Sequence, residues 1–595
     1  MSTEIEDQLY RETLPNIYEV VKRKTKKYCT PNTLMNFFPV IKWLPNYQLD
    51  YVLKDCIAGL TVGLTCIPQA IAYGAIAGLE PQYGLYSAFM GCFMYIIFGT
   101  CKDVTVGPTA IMALMVQHVA KSADYVVLLC FISGCIITLM GLLNLGILVQ
   151  FISMPVTTGF ITAAAVTIAS GQINNLFGIS SSSNEFFTSW YTFFGNITKL
   201  KQNDSILGVC TLIVLILMKQ MQTSKCVTPK FKKLIYLISL SRNALAVIVG
   251  IILCYCLSHD DVLPFRVNGK ITKGIPPFQL PPFSTTNENG ETVSFTEMFS
   301  ELTTSIVTIP LVSVVESIAV AKAFSKGKIV DYSQEMIALG LGNIMGSFVS
   351  SMPITGSFTR TAINNSSGVK TQFGGLVTGG LVLLALSFLT NTFYYIPKAT
   401  LAAIIIAAMI FMIEYHRILE IWNSKKLDVF PYVVTVIVCL FWSLEGGIIV
   451  GIIFNLIFIL YRTARPRITT TIEKVNDIEI GIVKLEGEFR YCCAEYLRMK
   501  IINFKNTQAT SVSLIMLQGE DIKSIDSTVA MNILSLKEDL ILLNCELFCW
   551  NWNYKSAGVL YRLNPNARGM FKFDITLQEI IDDIKGKNSR NHSLV

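Results

Sequence analysis

A chain of 595 residues could hold three or four soluble domains of ordinary size, but its composition excludes them. Charged residues make up only 15%, against about 25% in soluble domains, and the mean hydropathy of +0.51 marks a polytopic membrane protein. The net charge of +7 is spread along the chain and forms no nucleic-acid patch, the 16 cysteines follow neither zinc nor disulfide spacing, and four histidines are too scattered for a metal cluster.

Residues 1–55 are polar, carry the basic run Lys22-Arg-Lys-Thr-Lys-Lys27, and read as a cytosolic arm. The opening Met1-Ser-Thr-Glu-Ile-Glu-Asp7 has neither a basic n-region nor an apolar h-region, so no cleaved signal is expected there. Apolar segments follow at 56–77, 83–98, 104–120, 125–145, 155–177, 206–218 and 244–257. A second seven lie at 302–324, 336–349, 357–366, 373–389, 399–413, 430–442 and 446–461. Several are shorter than the ~20 residues of a full crossing, so the grouping carries more than any one boundary.

Basic residues orient the segments. Lys225, Lys230, Lys232 and Lys233 mark one connection, and Lys322, Lys326 and Lys328 a second. Arg417, Lys425 and Lys426 mark a third, and Arg462, Arg465 and Arg467 close the membrane part. Counting crossings puts all four on the side of the N-terminal arm, hence the cytosol. The loops 178–205 and 259–301, the latter with Asp260, Asp261, Glu288 and Glu291, then face outward, and Asn196-Ile-Thr is a glycosylation candidate. After Arg467, short strands at 478–485, 512–517 and 545–550 alternate with helices at 490–504, 526–542, 554–563 and 576–584. That alternation predicts a small cytosolic α/β domain, with Asp526 or Ser527 capping its second helix.

The stretch Ser350–Ser367 is the anomaly. It is polar, broken by Pro353 and Gly356 and charged at Arg360, yet it lies between long apolar segments. Irregular chain at membrane depth survives only where protein or trapped water surrounds it, and an ionisable residue there is a functional candidate. Ser357 is a good N-cap for a short helix through Phe358, Thr359, Arg360 and Thr361. The first turn of such a helix favours an anion, and Arg360 adds to the field. The alternative is a kinked helix whose arginine only satisfies neighbouring carbonyls.

The two sets of seven read as inverted repeats. Pro68-Gln69 precedes Val106-Gly-Pro-Thr109 by about forty residues, and Glu316 precedes Met352-Pro-Ile-Thr-Gly356 by a similar distance. Paired interrupted segments at corresponding places point to a transporter's midplane site. Glu316 is the second clue: a charged carboxylate is costly in an apolar helix, so it can carry a proton. A proton beside a divalent oxyanion offsets one negative charge and would couple H⁺ to sulfate. The competing reading is a permanent ion pair with Arg360.

Several motifs now resemble one family. Thr65-Cys-Ile-Pro-Gln-Ala-Ile-Ala-Tyr-Gly-Ala-Ile-Ala-Gly-Leu79 and Gln82-Tyr-Gly-Leu-Tyr86 are similar to the signature of the sulfate permease (SulP) anion transporters. Val106-Gly-Pro-Thr-Ala110, Phe358-Thr-Arg-Thr-Ala-Ile-Asn-Asn-Ser-Ser-Gly368 and Lys370-Thr-Gln372 match as well. The C-terminal part resembles that family's STAS domain, with Ile525-Asp-Ser-Thr528 at its usual helix start. The chain looks closest to the animal sodium-independent sulfate transporter branch.

The resemblance implies an α-helical polytopic membrane protein of 14 segments in a 7+7 inverted repeat, with core and gate domains and a cytosolic α/β STAS domain. The expected divisions are an arm at 1–55, a transport domain at 56–463, a STAS domain at 468–586 and a tail at 587–595. It also implies a homodimer, an elevator-like motion, and an anion site built from Gln69, Tyr73, Thr109, Ser357, Phe358, Thr359 and Arg360, with Glu316 as the proton-coupling residue. Tyr73 stands where relatives often have Phe, and Thr109 where motor-like members have Phe, which leaves more room for an oxyanion.

The function expected is sulfate transport by proton symport or by exchange with chloride, bicarbonate or oxalate, at the plasma or lysosomal membrane. An uncoupled channel or voltage-sensing motor is the alternative, and a nucleobase permease ranks below it. No enzyme chemistry, cofactor, metal or nucleic-acid partner is expected. Asp526-Ser527 resembles a phosphorylated loop of bacterial relatives, but capping is the better-supported use, and Ser593-Leu-Val595 matches a C-terminal peptide for a PDZ partner.

Overall fold

The computed structural model describes residues 37–147, 152–179, 186–223, 239, 241–258, 264–267, 274–286, 291–325, 330–413, 415–475, 478–573 and 575–580. The basic run at 22–27, Lys225, Lys230, Lys232, Lys233, Lys326, Lys328, Asp260, Asp261, Glu288 and the tail 587–595 with Ser593-Leu-Val595 lie outside them. The chain divides into one compact unit within 27–454 and a second built on 455–595.

In the first unit the opening helices are α1 (Leu49–Ile76), α2 (Pro81–Tyr86) and α3 (Met90–Phe98). A two-residue strand β1 (Val106–Gly107) then leads into α4 (Ala110–Gln117) and α5 (Ala123–Leu142). α6 (Met154–Leu176), α7 (Phe186–Gly195), α8 (Gln202–Thr223) and α9 (Arg242–Leu257) complete the first half. A small hairpin of β2 (Thr285–Thr286) and β3 (Thr292–Val293) precedes α10 (Phe295–Glu301), α11 (Thr303–Phe324) and α12 (Tyr332–Ser347). Strand β4 (Thr355–Gly356) leads into α13 (Phe358–Ser366) and α14 (Gly374–Leu384). The unit continues with α15 (Lys398–Met412), α16 (Tyr415–Ser424) and α17 (Val429–Phe441), and α18 (Leu444–Ala464) follows.

Each apolar segment expected from the sequence holds a helix. Among the described residues, seven helices are long and apolar enough to cross a membrane. Two differences are informative. The segment 83–98 is broken between α2 and α3, where the Ser87 hydroxyl accepts a hydrogen bond from the Met352 amide at 2.9 Å. The connections expected to be plain loops also carry helices α7 and α16. Trp190 of α7 donates to the Ser170 hydroxyl (3.2 Å), and Asn174 donates to the Ser189 carbonyl (3.1 Å), which ties that aromatic helix to α6.

The densest packing sorts the helices into two sets. α1 packs on α14, and α12 on both α3 and α5; separately, α6 packs on α15 and α17, and α8 on α15. The α5–α12 crossing is close because two glycines meet there. A Cβ on Gly134 would lie 2.6 Å from the Ile344 nitrogen, and one on Gly340 would lie 2.6 Å from the Thr138 nitrogen. Small residues let helix backbones approach where water provides no hydrophobic drive.

The second unit is a five-stranded sheet in the order β11-β10-β8-β6-β5, made of β5 (Ile468–Val475), β6 (Ile478–Leu485), β8 (Leu514–Gln518), β10 (Glu546–Trp550) and β11 (Phe571–Lys572). All neighbours are parallel except the edge strand β5, which was not foreseen. A side ladder joins β7 (Gly487–Phe489) to β9 (Ile522–Ile525). The helices α19 (Ala494–Thr507), α20 (Ser527–Leu542) and α21 (Tyr554–Leu563) pack Leu497, Ile501, Ile533, Leu536 and Leu560 into the same core as Ile515 and Leu517 of β8. Residues 577–580 begin the last expected helix, whose remainder lies outside the described residues.

Asp526 is the cap of α20, accepting from the Val529 amide at 2.9 Å and from the Tyr491 amide at 2.5 Å. Burial pushes the thiols of Cys493, Cys545 and Cys549 up, away from the thiolate form.

One buried cation closes the end of α19. Lys505 Nζ donates to the carbonyls of Ala509 (3.2 Å), Thr510 (3.1 Å) and Val512 (2.6 Å). Lys505→Met keeps the apolar stem but leaves these carbonyls without that donor, at a cost of about 2 kcal/mol. We expect trypsin to cleave this unit of the full-length variant roughly 30-fold faster, since cleavage follows the open population. An unchanged cleavage rate would show that the ammonium contributes nothing.

Candidate functional site

Strands β1 and β4 pair antiparallel, Val106 opposite Gly356 and Gly107 opposite Thr355. This ladder brings together two segments some 250 residues apart, each an extended stretch that enters a short helix. The Ser357 amide extends it by donating to the Thr105 carbonyl at 3.0 Å, while the Thr105 amide donates to the Thr361 hydroxyl at 3.1 Å.

Extended chain this deep needs partners, and neighbouring side chains supply them. Asn343 of α12 accepts from the Ile354 amide at 2.9 Å and donates to the Ile354 carbonyl at 3.1 Å. Ser313 of α11 donates to that same carbonyl at 3.0 Å, and its own carbonyl accepts from the Thr355 hydroxyl at 2.7 Å. With Ser87 on the Met352 amide, the irregular stretch is paired on three sides. Gly356 is required by proximity: a Cβ there would sit 3.1 Å from the Ser317 Cα.

Both helices open on a hydroxyl cap. Thr109 accepts from the Met112 amide and Ser357 from the Arg360 amide, each at 3.4 Å. The Thr109 hydroxyl also donates to Glu316 Oε2 at 3.4 Å, so one side chain both caps α4 and holds the carboxylate of α11. Glu316 is 6% exposed and Arg360 is fully buried.

A narrow cleft of about 20 Å³ runs between the two helix starts. Tyr73, Thr109, Glu316, Ser357, Phe358 and Thr359 line it, joined by Met409 and Met412 of α15, which the sequence did not suggest. Gln69 and Arg360 stand outside this lining. Gln69 is buried on α1, and its Oε1 has no hydrogen-bond partner among the described residues. Arg360 turns toward β1: Nη1 donates to the Pro108 carbonyl at 2.7 Å, and a Cβ on Gly107 would lie 3.1 Å from Nη2. Its Nε and Nη2 have no partner among the described residues. Glu316 and Arg360 form no direct ion pair, unlike the permanent pairing weighed from the sequence.

A third arrangement, missed from sequence, locks the helices that carry these groups. Asp55, fully buried near the start of α1, accepts from the Lys370 amide (2.6 Å), the Thr371 amide (3.2 Å), the Thr371 hydroxyl (2.6 Å) and the Tyr47 hydroxyl (3.2 Å). Lys102 donates to the Val369 carbonyl at 2.7 Å and Asn364 to the Asp103 carbonyl at 3.0 Å. The loop after α13 is therefore tied to α1, which bears Gln69 and Tyr73, and to the chain leading into β1. Asp55 lies one residue before the first predicted segment, and nothing local marks it out.

Residues 52–435 match the model of the sulfate permease family. The chain is 41% identical over 518 residues to the sodium-independent sulfate anion transporter of Bos taurus, covering 85% of each. It is 32% identical over 498 residues to sulfate permease 1 of Saccharomyces cerevisiae, covering 77% of this chain and 56% of the yeast protein. Among solved structures, SLC26A9 superposes with a TM-score of 0.80 at 18% identity, covering 95% of this chain and 96% of that one. The transmembrane domain of the cyanobacterial bicarbonate transporter BicA gives 0.53 at 18% identity, covering 69% of this chain and 98% of that one.

Four donors converge on the Asp55 carboxylate, so an amide in its place turns an N–H group toward them. Asp55→Asn is expected to weaken the clamp by about 2 kcal/mol, which reads as roughly 30-fold faster amide exchange at Lys370 and Thr371. Tyr47→Phe removes one outer contact and should change exchange by less than about tenfold. Equal effects of the two substitutions would contradict the clamp.

Proposed function

The chain belongs to the sulfate permease family, and on that premise we propose that it is a secondary active transporter of inorganic anions, sulfate first, working by elevator-type alternating access. The observation that carries this reading is that Thr109 and Ser357, the caps of two helix starts joined by the β1–β4 ladder, border one cleft. Each helix start offers unpaired N–H groups and a partial positive charge, the usual equipment for holding an anion. Arg360 adds a full charge behind them, with guanidinium nitrogens left over after its bond to Pro108. Glu316 makes no direct ion pair with it, and a bound anion would offset the cost of burying that charge.

Glu316 gives the site a way to count protons. It borders the cleft and is held by the cap of α4, so its charge bears directly on whatever anion lies there. Protonated, it removes a negative neighbour from a divalent oxyanion; ionised, it repels one. Proton symport follows from that exchange of charge, and exchange with chloride, bicarbonate or oxalate uses the same cleft without it. The C-terminal unit is assigned as a STAS domain that supports a homodimer, with both termini cytosolic. The two packing sets of helices supply the core and gate that an elevator needs.

Radiolabelled sulfate uptake into proteoliposomes tests this. Uptake by the parent should rise several-fold with an inward proton gradient, and Glu316→Gln should make it insensitive to that gradient. A variant with the parent's pH dependence removes Glu316 from coupling. Arg360→Ala and Thr359→Trp should each lower uptake at least about tenfold while leaving monodisperse protein; normal transport by both would remove the site. Large currents without stoichiometric sulfate uptake would instead favour an uncoupled channel.

A further inference from the structure

The helix α16 is built unlike its neighbours. None of its described residues is buried, yet Tyr415, Leu419 and Trp422 recur at i, i+4 and i+7 and are 60%, 56% and 52% exposed. That spacing sets all three on one face. Ile418 and Ile421, both half-buried, take a second face, and the polar Glu420 and Ser424 take a third. With ten residues the helix is about 15 Å long, too short to cross a bilayer.

The exposed stripe does not stop where α16 ends. Leu427, Phe430 and Val433 continue it onto the outer surface of α17, which packs on the candidate membrane span α6. An apolar strip of that length is rarely left to water, and the bilayer that flanks α6 covers it. A short helix with one apolar face in the membrane boundary and a polar face in water is an interfacial helix. Its end is basic: Lys425 and Lys426 follow Trp422, and Lys426 Nζ stands 5.8 Å from the centre of the Trp422 ring. Glu420 lies about 200° round the helix from Trp422, and the two lysines outnumber the single acid that follows them, Asp428.

We propose that α16 lies in the membrane boundary and that Trp422, Lys425 and Lys426 hold the headgroup of an anionic phospholipid. The phosphate faces the two ammonium groups, and the acyl chains run along Leu427 and Phe430. A soluble anion would leave the apolar strip unused, and a zwitterionic lipid would gain little from the lysines. The basic residues of this connection assign it to the cytosolic leaflet, where anionic lipids supply the negative surface potential. α16 joins α15 to α17, and both pack on α6, so a bound lipid steadies the gate set against the moving core. That last consequence rests on the elevator reading given above; the binding does not.

Equilibrium binding to purified full-length protein in detergent tests the proposal, with tritiated phosphatidylserine as probe and phosphatidylcholine in parallel. Phosphatidylserine should bind saturably and at least about tenfold tighter than phosphatidylcholine, and glycerophosphoserine, the headgroup without chains, should not displace it. Changing Lys425→Gln and Lys426→Gln together should weaken binding roughly 30-fold, about fivefold for each charge. Lys425→Arg with Lys426→Arg should retain it, as should Lys199→Gln with Lys201→Gln, which removes the same charge from the opposite side. The proposal is overturned if the two lipids bind alike, if the double glutamine variant keeps the parent's affinity, or if glycerophosphoserine displaces the lipid. It is also overturned if Leu419→Asp splits a dimer while lipid binding is unchanged, since a second copy of the chain would then cover this face. Thr359→Trp should leave phosphatidylserine binding intact, so failure of the transport site and failure of the lipid site are seen separately.

Discussion

An extended backbone in a hydrocarbon setting must find every hydrogen bond from protein, and the stretch from Met352 to Ser357 is where this chain meets that demand. Its amides and carbonyls are taken up by Ser87, Asn343, Ser313 and the Thr105 carbonyl, and its outer edge pairs with Val106 and Gly107. The partners come from α11, α12, the break between α2 and α3, and the approach to β1. Those elements are fixed relative to one another by the need to satisfy a few peptide groups. The consequence for function is geometric. Two helices that begin at that ladder must present their capped ends to the same small volume, next to a buried guanidinium and a buried carboxylate.

The cleft holds only about 20 Å³, so on the proposed function an entering anion displaces side chains on its border, which include Phe358, Met409 and Met412. Methionine is unbranched and adapts at low cost. Phe358 also lines a wider cavity of about 480 Å³. On the proposed function, selectivity for a small anion would come from donors held by the ladder and the Asp55 clamp, and access from the softer side chains in front of them.

Much of this is legible in the sequence. Hydropathy placed every apolar segment, because a long run of apolar residues is a local signal. Pro353, Gly356, Ser357 and Arg360 marked the interrupted segment because breaker, cap and charge lie side by side in the chain. What escaped was non-local. Asn343 bonds Ile354, Ser313 bonds Thr355 and Asp55 bonds Thr371, which lie 11, 42 and 316 positions away, and no local pattern announces such a bond. α7 and α16 hid for another reason: short amphipathic helices inside polar connections look like loops when one scans for long apolar runs. The direction of Arg360 could not be foreseen either, since its choice of the Pro108 carbonyl depends on the ladder register.

If the β1–β4 ladder makes the proposed anion site by holding two helix starts together, loosening the ladder must cost the protein its anion. Equilibrium binding of radiolabelled sulfate to purified Gly356→Val tests it most directly, because the added side chain meets the Ser317 backbone and pushes β4 off α11. Saturable sulfate binding should be lost while the protein remains monodisperse and its C-terminal unit stays protease-resistant. Sulfate bound with the parent's affinity by that variant would contradict it.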